Sequence, residues 1–358
     1  MDIDLQLGWQ LTLNDKRHTV EPVLFQLLAA IKQEGSLKKA TVNCRVSYRY
    51  AWGLLNKWQS VLGQALVILE PGRGAYLSSL GDKLIHADLQ LNARFSPQLD
   101  NFATQFKREF QSLLSQSDKT AFKLFASHGL AVGALRDLIN QQSDFKIDLH
   151  FQGSIESLRA LDQSNCDIAG FHIPVGSIAE PLLPHYLDIL HPDTYDLVYL
   201  IKRQQGLMFR QDTSGAISSL NDLIRAKLRF VNRQSGSGTR LLFDQLLVSH
   251  KIEAENIAGY QHEEFTHLAV AALVASQAAD VAFGIEPMAE KFGLSFIPLV
   301  WEHYCLAVPK QISQDKRIMQ MKALLQSQDY RQSLSASPGY DASRSGETVS
   351  FDDIFSTQ

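Results

Sequence analysis

The stretch Asn232-Arg233-Gln234-Ser235-Gly236-Ser237-Gly238-Thr239-Arg240 follows a short apolar strand, Leu228 to Val231, and opens an apolar helix, Leu241 to Val248. A strand that turns through Gly-Ser-Gly-Thr into a helix leaves several backbone N–H groups unpaired at the positive end of the helix dipole. Here they stand beside small hydroxyls and two arginines, which makes a cradle for an anion. The alternative is an ordinary strand-to-helix turn in which Ser and Thr only cap the helix. No Lys-Ser/Thr pair follows the glycines, so the spacing does not point to nucleotide hydrolysis.

Around this segment lie 358 residues, enough for two or three domains, with 45% hydrophobic residues, 20% charged residues and a formal net charge of -4. Such a composition describes a globular chain with ample core, neither disordered nor basic overall, so any nucleic-acid contact must be local. No apolar run reaches the ~18 residues of a membrane span, and Met1-Asp2-Ile3-Asp4 does not begin a signal peptide. The expectation is a cytoplasmic protein that does not engage a membrane. Cys44, Cys166 and Cys305 are far apart and without Cys-x-x-Cys spacing, which indicates neither a disulfide framework nor a zinc site.

The charge is uneven. Between residues 32 and 57 stand Lys32, Lys38, Lys39, Arg45, Arg49 and Lys57 against one acid, Glu34. In the same region Pro22 to Lys32 has Leu24, Leu27, Leu28 and Ile31 at helical spacing, and Glu34-Gly35-Ser36 ends that helix and caps the next. A short second helix runs from Leu37 to about Asn43, and Ser47 caps a third that extends to about Leu62 with Ala51, Leu54, Leu55 and Trp58 inward. Ala65 to Leu69 and Ala75 to Leu77 are two short strands joined by Glu70-Pro71-Gly72-Arg73-Gly74. This order is that of a winged helix-turn-helix, and the alternative is a helical packing unit with a solvated basic face. Ser36, Lys38, Lys39, Ser47, Tyr48, Arg49, Tyr50 and the wing-tip Arg73 are the candidate contacts to double-stranded DNA.

Leu24-Phe25-Gln26-Leu27-Leu28-Ala29-Ala30-Ile31, Gly35-Ser36-Leu37 and Ser47-Tyr48-Arg49-Tyr50-Ala51-Trp52 together resemble the DNA-binding domain of the molybdate-responsive regulator ModE and, more distantly, LysR-type regulators. The resemblance covers about the first 80 residues. Where that family has a small residue and then Leu-Gly before the recognition helix, this chain has Thr41, Cys44 and Arg45. An arginine that takes a left-handed conformation there costs about 1 kcal/mol.

Residues 81–118 are expected to link the head to the rest. Phe95, Leu99, Phe102, Phe106, Phe110 and Leu113 form one helical stripe that needs a partner, either the chain's own domains or a second copy in a homodimer or higher homo-oligomer. Pro97 marks the expected start of that helix.

From Ala121 strands alternate with helices. Phe122 to Ala126, Ile147 to Phe151, Cys166 to Phe171, Leu197 to Ile201 and Leu228 to Val231 predict an α/β sheet with mostly parallel strands. Ligands of such sheets sit beyond the carboxyl ends of the strands. Those ends supply Ser127, His128, Gly153, Ser154, His172, Arg203, Gln204, Gln205, Asn232, Arg233, Ser237, Gly238 and Thr239 as candidates. Arg240, Glu264 and Thr266 join them as nearby residues that serve equally well in a salt bridge or a helix cap. Hydroxyls at three helix N-termini suit a small oxoanion held by neutral donors and helix dipoles, with no metal required.

Arg203-Gln204-Gln205-Gly206-Leu207, the Asn232–Arg240 stretch, Gly259-Tyr260, Glu264-Phe265-Thr266-His267-Leu268-Ala269-Val270-Ala271-Ala272 and Gly293-Leu294-Ser295-Phe296-Ile297-Pro298-Leu299 resemble the cytoplasmic, type II periplasmic-binding-protein-like domain. That domain is found fused to ModE-type heads or to molybdopterin-biosynthesis enzymes. The resemblance implies an α/β fold overall: a winged helix-turn-helix (1–80), a linker or dimerisation helix (81–118) and a two-lobed effector domain (119–358). Lobe I takes about 119–200 plus 303–358 and lobe II about 201–302, with crossings near Leu200 to Arg203 and Glu302 to Ala307. From about Ser333 a Ser- and Gly-rich tail is expected to be partly mobile. The implied ligand is molybdate, tungstate or another oxoanion, or a molybdenum-cofactor-related molecule such as a phosphorylated cofactor fragment.

Some apparent catalytic signals lose their force on spacing. His262-Glu263-Glu264-Phe265-Thr266-His267 does not place two imidazoles one helical turn apart, and neither a nucleophile elbow nor Gly-x-Gly-x-x-Gly follows a strand. The reading is therefore a ligand-responsive transcription regulator rather than an enzyme, with no catalytic residues, cofactor or metal. Its alternative is an enzyme or ligand-delivery protein of molybdenum-cofactor metabolism whose head serves only for dimerisation.

Overall fold

The computed structural model describes residues 3–70, 74–113 and 121–356. The chain divides into two compact units, one of Gln6–Ala93 and one made chiefly of Arg94–Gln358.

The first unit opens with the hairpin β1 (Gln10–Leu13) and β2 (Lys16–Thr19), which our sequence reading does not anticipate. Its two-residue loop, Asn14-Asp15, has positive φ at both positions, the geometry that matches strand twist in tight hairpins. Three helices follow, α1 (Pro22–Glu34), α2 (Leu37–Asn43) and α3 (Tyr48–Leu62), then a second hairpin, β3 (Val67–Glu70) and β4 (Gly74–Leu77). Pro22 sits in the first turn of α1, and Gly35 ends that helix in the left-handed region. Leu24, Leu28, Ile31, Ala51 and Trp58 are buried in one core. Trp58 donates its indole N–H to Glu21 at 2.9 Å, and this ties α3 to the start of α1. Gly74 must be glycine: a Cβ there would lie 2.3 Å from the carbonyl oxygen of Gly35, the same oxygen that accepts from the Ala75 N–H at 2.9 Å. The hairpin is thereby fastened to the end of α1. Arg45 has φ 52°, the strained conformation expected of it. Pro71, Gly72 and Arg73, the expected wing tip, lie outside the described residues.

The helix α4 (Ser79–Leu113) gives its first turns to this unit and its residues from Arg94 onward to the second. It begins well before Pro97 and continues through it, contrary to the expected start. An interior proline costs a helix ~3 kcal/mol, so contacts on the flanking turns must hold it. Ile85 and Ala93 are buried on one side, and Asn101 is doubly hydrogen-bonded on the other.

In the second unit the elements are β5 (Phe122–Ala126), α5 (Leu130–Gln142), β6 (Ile147–Phe151), α6 (Ser154–Asp162), β7 (Ile168–Pro174), α7 (Leu183–Leu187) and β8 (Tyr195–Phe209). They continue with α8 (Asp222–Arg225), β9 (Phe230–Arg233), α9 (Gly238–Ser249), β10 (Glu263–Glu264), α10 (His267–Ala275), β11 (Val281–Ile285), α11 (Glu286–Lys291) and β12 (Ser295–Pro309). The chain closes with α12 (Lys316–Gln326), α13 (Gln328–Ser335), β13 (Tyr340–Asp341), β14 (Thr348–Val349) and α14 (Phe351–Phe355).

One curled sheet has the order β10-β9-β11-β8-β12-β7-β5-β6, with β13 and β14 also paired to β8. Strands β5, β6 and β7 are parallel on one side, and β9, β10 and β11 are parallel on the other. The two 15-residue strands β8 and β12 are antiparallel to each other and to their other neighbours β7 and β11. This corrects the expectation of a mostly parallel sheet, since a chain that crosses between lobes and returns must run in both directions. Opposite-face cores, one around Leu124, Leu135 and Met321 and one around Phe171, Leu197 and Cys305, sandwich the first side. Phe230, Phe243 and Phe283 anchor the core on one face of the second side, and Val231, Val270 and Met208 that on the other. The expected mobile tail is instead ordered: Ser345 is fully buried and donates to the Leu200 carbonyl, Ile354 is buried, and α14 carries a capping box at Ser350. Among the described residues no helix is long and apolar enough to cross a membrane.

Candidate functional site

Within the second unit the strand ends and helix starts meet around one cavity of about 380 Å³. Three helices, α6, α9 and α10, begin at its wall, and α5 starts two residues past the lining His128. Gly129 and Gly153 precede α5 and α6, and neither helix has a side-chain cap bond, so backbone N–H groups of their first turns are left for other partners. Ser237 caps α9 by accepting from the Arg240 N–H at 3.2 Å, and Thr266 caps α10 by accepting from the Ala269 N–H at 2.9 Å. Gly236, with φ 83°, makes the turn that brings Ser237 and Gly238 to the wall.

Of the three arginines at this convergence, the two carried by strands differ in kind. Arg203 of β8 and Glu302 of β12 are register partners, both almost completely buried, and Arg203 Nε donates to the carboxylate. Gln205 donates to the second oxygen of Glu302 at 2.7 Å. Arg203 is therefore neutralised where the two crossing strands pass. Arg233, at the end of β9, donates through Nη2 to the Phe265 carbonyl at 2.9 Å, while its Nε is buried without a hydrogen-bond partner. Burial first, and Arg203 second, push Arg233 down to about 9, against the pull of Glu302.

Three histidines report the same electrostatics. His128 is pushed down to about 4 by burial, then by Arg233 and Arg136. His172 and His267 are held well below the usual imidazole range by burial first and then by Arg203 and Arg233. His172 Nε2 and His267 Nδ1 are buried without a hydrogen-bond partner. A wall with three helix N-termini, an arginine with no ion pair among the described residues and three imidazoles held neutral is deficient in negative charge. The acid at the wall is Glu156, in the first turn of α6, whose carboxylate folds over Gly153: a Cβ on that glycine would lie 2.1 Å from Glu156 Oε2.

Of the residues expected from sequence, Ser127, His128, Gly153, His172, Arg203, Arg233, Ser237, Gly238, Thr239 and Thr266 line this cavity. Ser154 lies just beneath, with its Oγ 3.5 Å from Ser127 Oγ and accepting from the His172 N–H at 3.1 Å. The structure does not bring five others to the wall. Gln204 points away from Arg203 by strand alternation, and its N–H donates to Gly339. Gln205 serves Glu302, and Asn232 donates to the Tyr260 carbonyl at 3.2 Å. Arg240 pairs with Asp244 and Glu263, with its guanidinium 4.1 Å from the Tyr260 ring centroid, so it braces its own lobe. Glu264 is buried against Arg94 at 3.5 Å.

Sequence reasoning missed Arg94, Gln98 and Asn101 of α4, as well as Gln152, Gln234 and His267. The signal was present in α4 as polar residues at i, i+4 and i+7, a second face beside the apolar stripe. On that stripe Phe95, Phe102, Phe106 and Phe110 are exposed, and Phe102 stacks on Phe106 at 6.3 Å.

In the first unit Lys38, Lys39, Tyr48, Arg49 and Tyr50 are exposed, the last three in the first turn of α3, and Tyr48 stacks on Trp52 at 6.4 Å. Ser36 and Ser47 are occupied as caps, accepting from the Lys39 N–H at 3.4 Å and the Tyr50 N–H at 3.1 Å. Arg73 lies outside the described residues.

Comparison with known proteins adds the family. Residues 135–326 match the model of the PBP superfamily domain. The chain is 30% identical over 199 residues to the uncharacterized protein YvgK of Bacillus subtilis (strain 168), which covers 56% of this chain and 64% of that relative. It is 34% identical over 110 residues to an uncharacterized protein from the 5′ region of the ferredoxin 2Fe-2S gene of Clostridium pasteurianum, which covers 30% of this chain and 97% of that one. Among solved structures, a hydrogen-peroxide-bound mutant of Corynebacterium glutamicum OxyR superposes with a TM-score of 0.46 at 12% identity, covering 90% of this chain and 96% of its own. With more than half of its length matched by the family model, and with two crossing strands that join two parallel-stranded lobes above one cavity, the chain belongs to the PBP superfamily.

Proposed function

We propose that the chain is a ligand-responsive transcription regulator, in which the cleft of the second unit holds a small anionic effector and the first unit binds double-stranded DNA. The observation that carries the effector reading is the meeting of three helix N-termini with Arg233, whose Nε is buried and unpartnered, around one cavity. Neutral dipoles and a single arginine recognise an anion without a metal, and molybdate, tungstate or a related anion fits that chemistry. Support for the DNA reading is the order of three helices and a hairpin, with Tyr48, Arg49 and Tyr50 exposed at the start of α3 and Lys38 and Lys39 on α2. The exposed phenylalanines of α4 suit a second copy of the chain, because dimers that read two half-sites need a two-fold contact.

Two measurements on the full-length protein test the proposal. An anion present at ~100 times its dissociation constant stabilises the fold by about 2.7 kcal/mol, so it raises the melting temperature of the wild type and not of Ser237→Ala, Thr239→Ala protein. Retention of genomic DNA fragments, altered by the same anion, tests the regulator. Anion binding with no DNA retention would leave the delivery protein or enzyme of molybdenum-cofactor metabolism as the better reading.

A further inference from the structure

We infer that α4 forms a third wall of the cleft and sizes it for an organic anion, a compact anionic head on a planar polar body, in preference to a bare tetrahedral oxoanion. The inference rests on the anion-effector reading above and deepens it. Asn101 clasps the end of β6 in the manner of a paired strand: its Nδ2 donates to the Phe151 carbonyl at 3.0 Å and its Oδ1 accepts from the Phe151 N–H at 2.8 Å. Arg94 reaches the other lobe, at 3.5 Å from buried Glu264 and 5.6 Å from the Phe265 ring centroid. The seven-residue step from Arg94 to Asn101 rises about 10 Å along the helix axis, so α4 is a strut across the mouth, anchored once on each lobe. While both anchors hold, the lobes cannot collapse onto a small ion.

Volume gives the same answer. A tetrahedral oxoanion has five heavy atoms and takes the space of about three or four waters, on the order of 100 Å³. The cavity holds about 380 Å³, within the range of sites for small organic ligands. The space beyond the helix N-termini is lined by Phe151, Phe265, Gln98, Gln152 and Gln234. Gln152 and Gln234 each leave one end of the amide buried and unpartnered. Aromatic faces with free carboxamides recognise a flat body that bears hydrogen-bonding edges, and an inorganic ion has none.

Isothermal titration of the full-length protein tests this, with molybdate, tungstate and orthophosphate set against phenyl phosphate and pyridoxine phosphate, and with pyridoxine as the uncharged control. Burial of an aromatic body should make the better ester bind about 10- to 100-fold more tightly than any of the three inorganic ions, with pyridoxine silent. The Arg94→Ala, Asn101→Ala protein should lose at least about tenfold of that preference. Gln98→Ala, a change on an exposed helix face, should weaken the ester by a larger factor than it weakens molybdate. An inorganic ion that binds as tightly as the better ester overturns this inference while the anion cleft stands. If no anion in the panel binds, both fall. DNA retention, measured separately, does not depend on which anion fills the cleft.

Discussion

Glu302→Ala should destabilise the second unit more than any single change at the cavity wall. Glu302 and Arg203 have side-chain exposures of 3% and 4% and lie opposite each other on the two crossing strands. Burial works against the Arg203 charge, and Glu302 outweighs it by both charge and hydrogen bond, with Tyr340 and Tyr304 contributing, so the guanidinium stays protonated. Removal of the carboxylate leaves that charge buried and uncompensated, at a cost of about 3–5 kcal/mol, and it also strips Gln205 of its acceptor. For a unit of this size each kcal/mol corresponds to about 2–4 °C, so the transition should fall by roughly 6–20 °C. Trp301 lies beside Glu302, while Trp9, Trp52 and Trp58 belong to the other unit, so urea titration followed by fluorescence at Trp301 isolates the event in variants that lack those three. The Arg203→Met, Glu302→Leu protein should be less damaged than Glu302→Leu alone, because a well-packed apolar pair replaces a buried ion pair at little cost. A loss below about 1 kcal/mol for Glu302→Ala, or a double variant whose loss equals the sum of the singles, would refute the argument.

Further outcomes follow from the other sites. Arg49→Ala should cost about 1–3 kcal/mol in DNA binding if it reads a base, and Arg73→Ala should weaken all sequences alike, as measured by titration against specific and random duplexes. Protected DNA should contain half-sites about 10 bp apart or a multiple of that, visible by footprinting. Phe102→Glu with Phe106→Glu should yield a folded monomer by sedimentation, and a persistent dimer would place the contact elsewhere. The cavity histidines are neutral when folded and titrate near 6.5 when unfolded, so the unfolded chain gains protons first. Their contribution is intact above pH 6.5 and is lost as pH falls from 6.5 toward 4, the folded value of His128. A bound anion raises those values, so its affinity should increase over the same interval, and a flat dissociation constant from pH 7 to 5 would contradict it.

The fold was legible where local chemistry was unambiguous. Pro22, Gly35, Ser47 and the stripe Ala51, Leu54, Leu55, Trp58 placed α1 to α3 within a residue or so, because caps and helical periodicity act over short distances. The length of β8 was not legible. Leu197 to Ile201 reads as a strand, but Lys202-Arg203-Gln204-Gln205 reads as its end, and only pairing with β12 keeps those polar residues extended as far as Phe209. The tail from Ser333 was misread for a related reason. Its composition is that of a loop, and what orders it is contact with β8, more than 140 positions back, as in the Ser345 bond to Leu200.

At the site, strand ends identified the residues attached to the sheet and failed for those that arrive from elsewhere. Ser127, Gly153, Arg233 and Ser237 sit where a strand turns into a helix, so the rule that ligands lie beyond strand termini finds them. The rule also gathered Gln204 and Asn232, because it does not say which face of the strand a residue takes. Alternation settles this once one neighbour is known: with Arg203 inward, Gln204 must turn outward. Arg94, Gln98 and Asn101 escaped because α4 was read by its apolar stripe alone. A helix exposed on one side and docked on the other carries two patterns offset by one residue, here Phe95, Leu99 and Phe102 beside Arg94, Gln98 and Asn101. The polar pattern is the quieter of the two in a hydropathy reading, yet it is the one that touches the cavity. If the cavity is the proposed effector site and the first unit the proposed DNA-binding head, a helix shared by both would give bound ligand a hold on that head, and the strut variants that change ligand preference should also alter how DNA retention responds to ligand. If Arg94→Ala, Asn101→Ala protein still binds ligand and its DNA retention shifts as in wild type, α4 shapes the cleft without transmitting its occupancy.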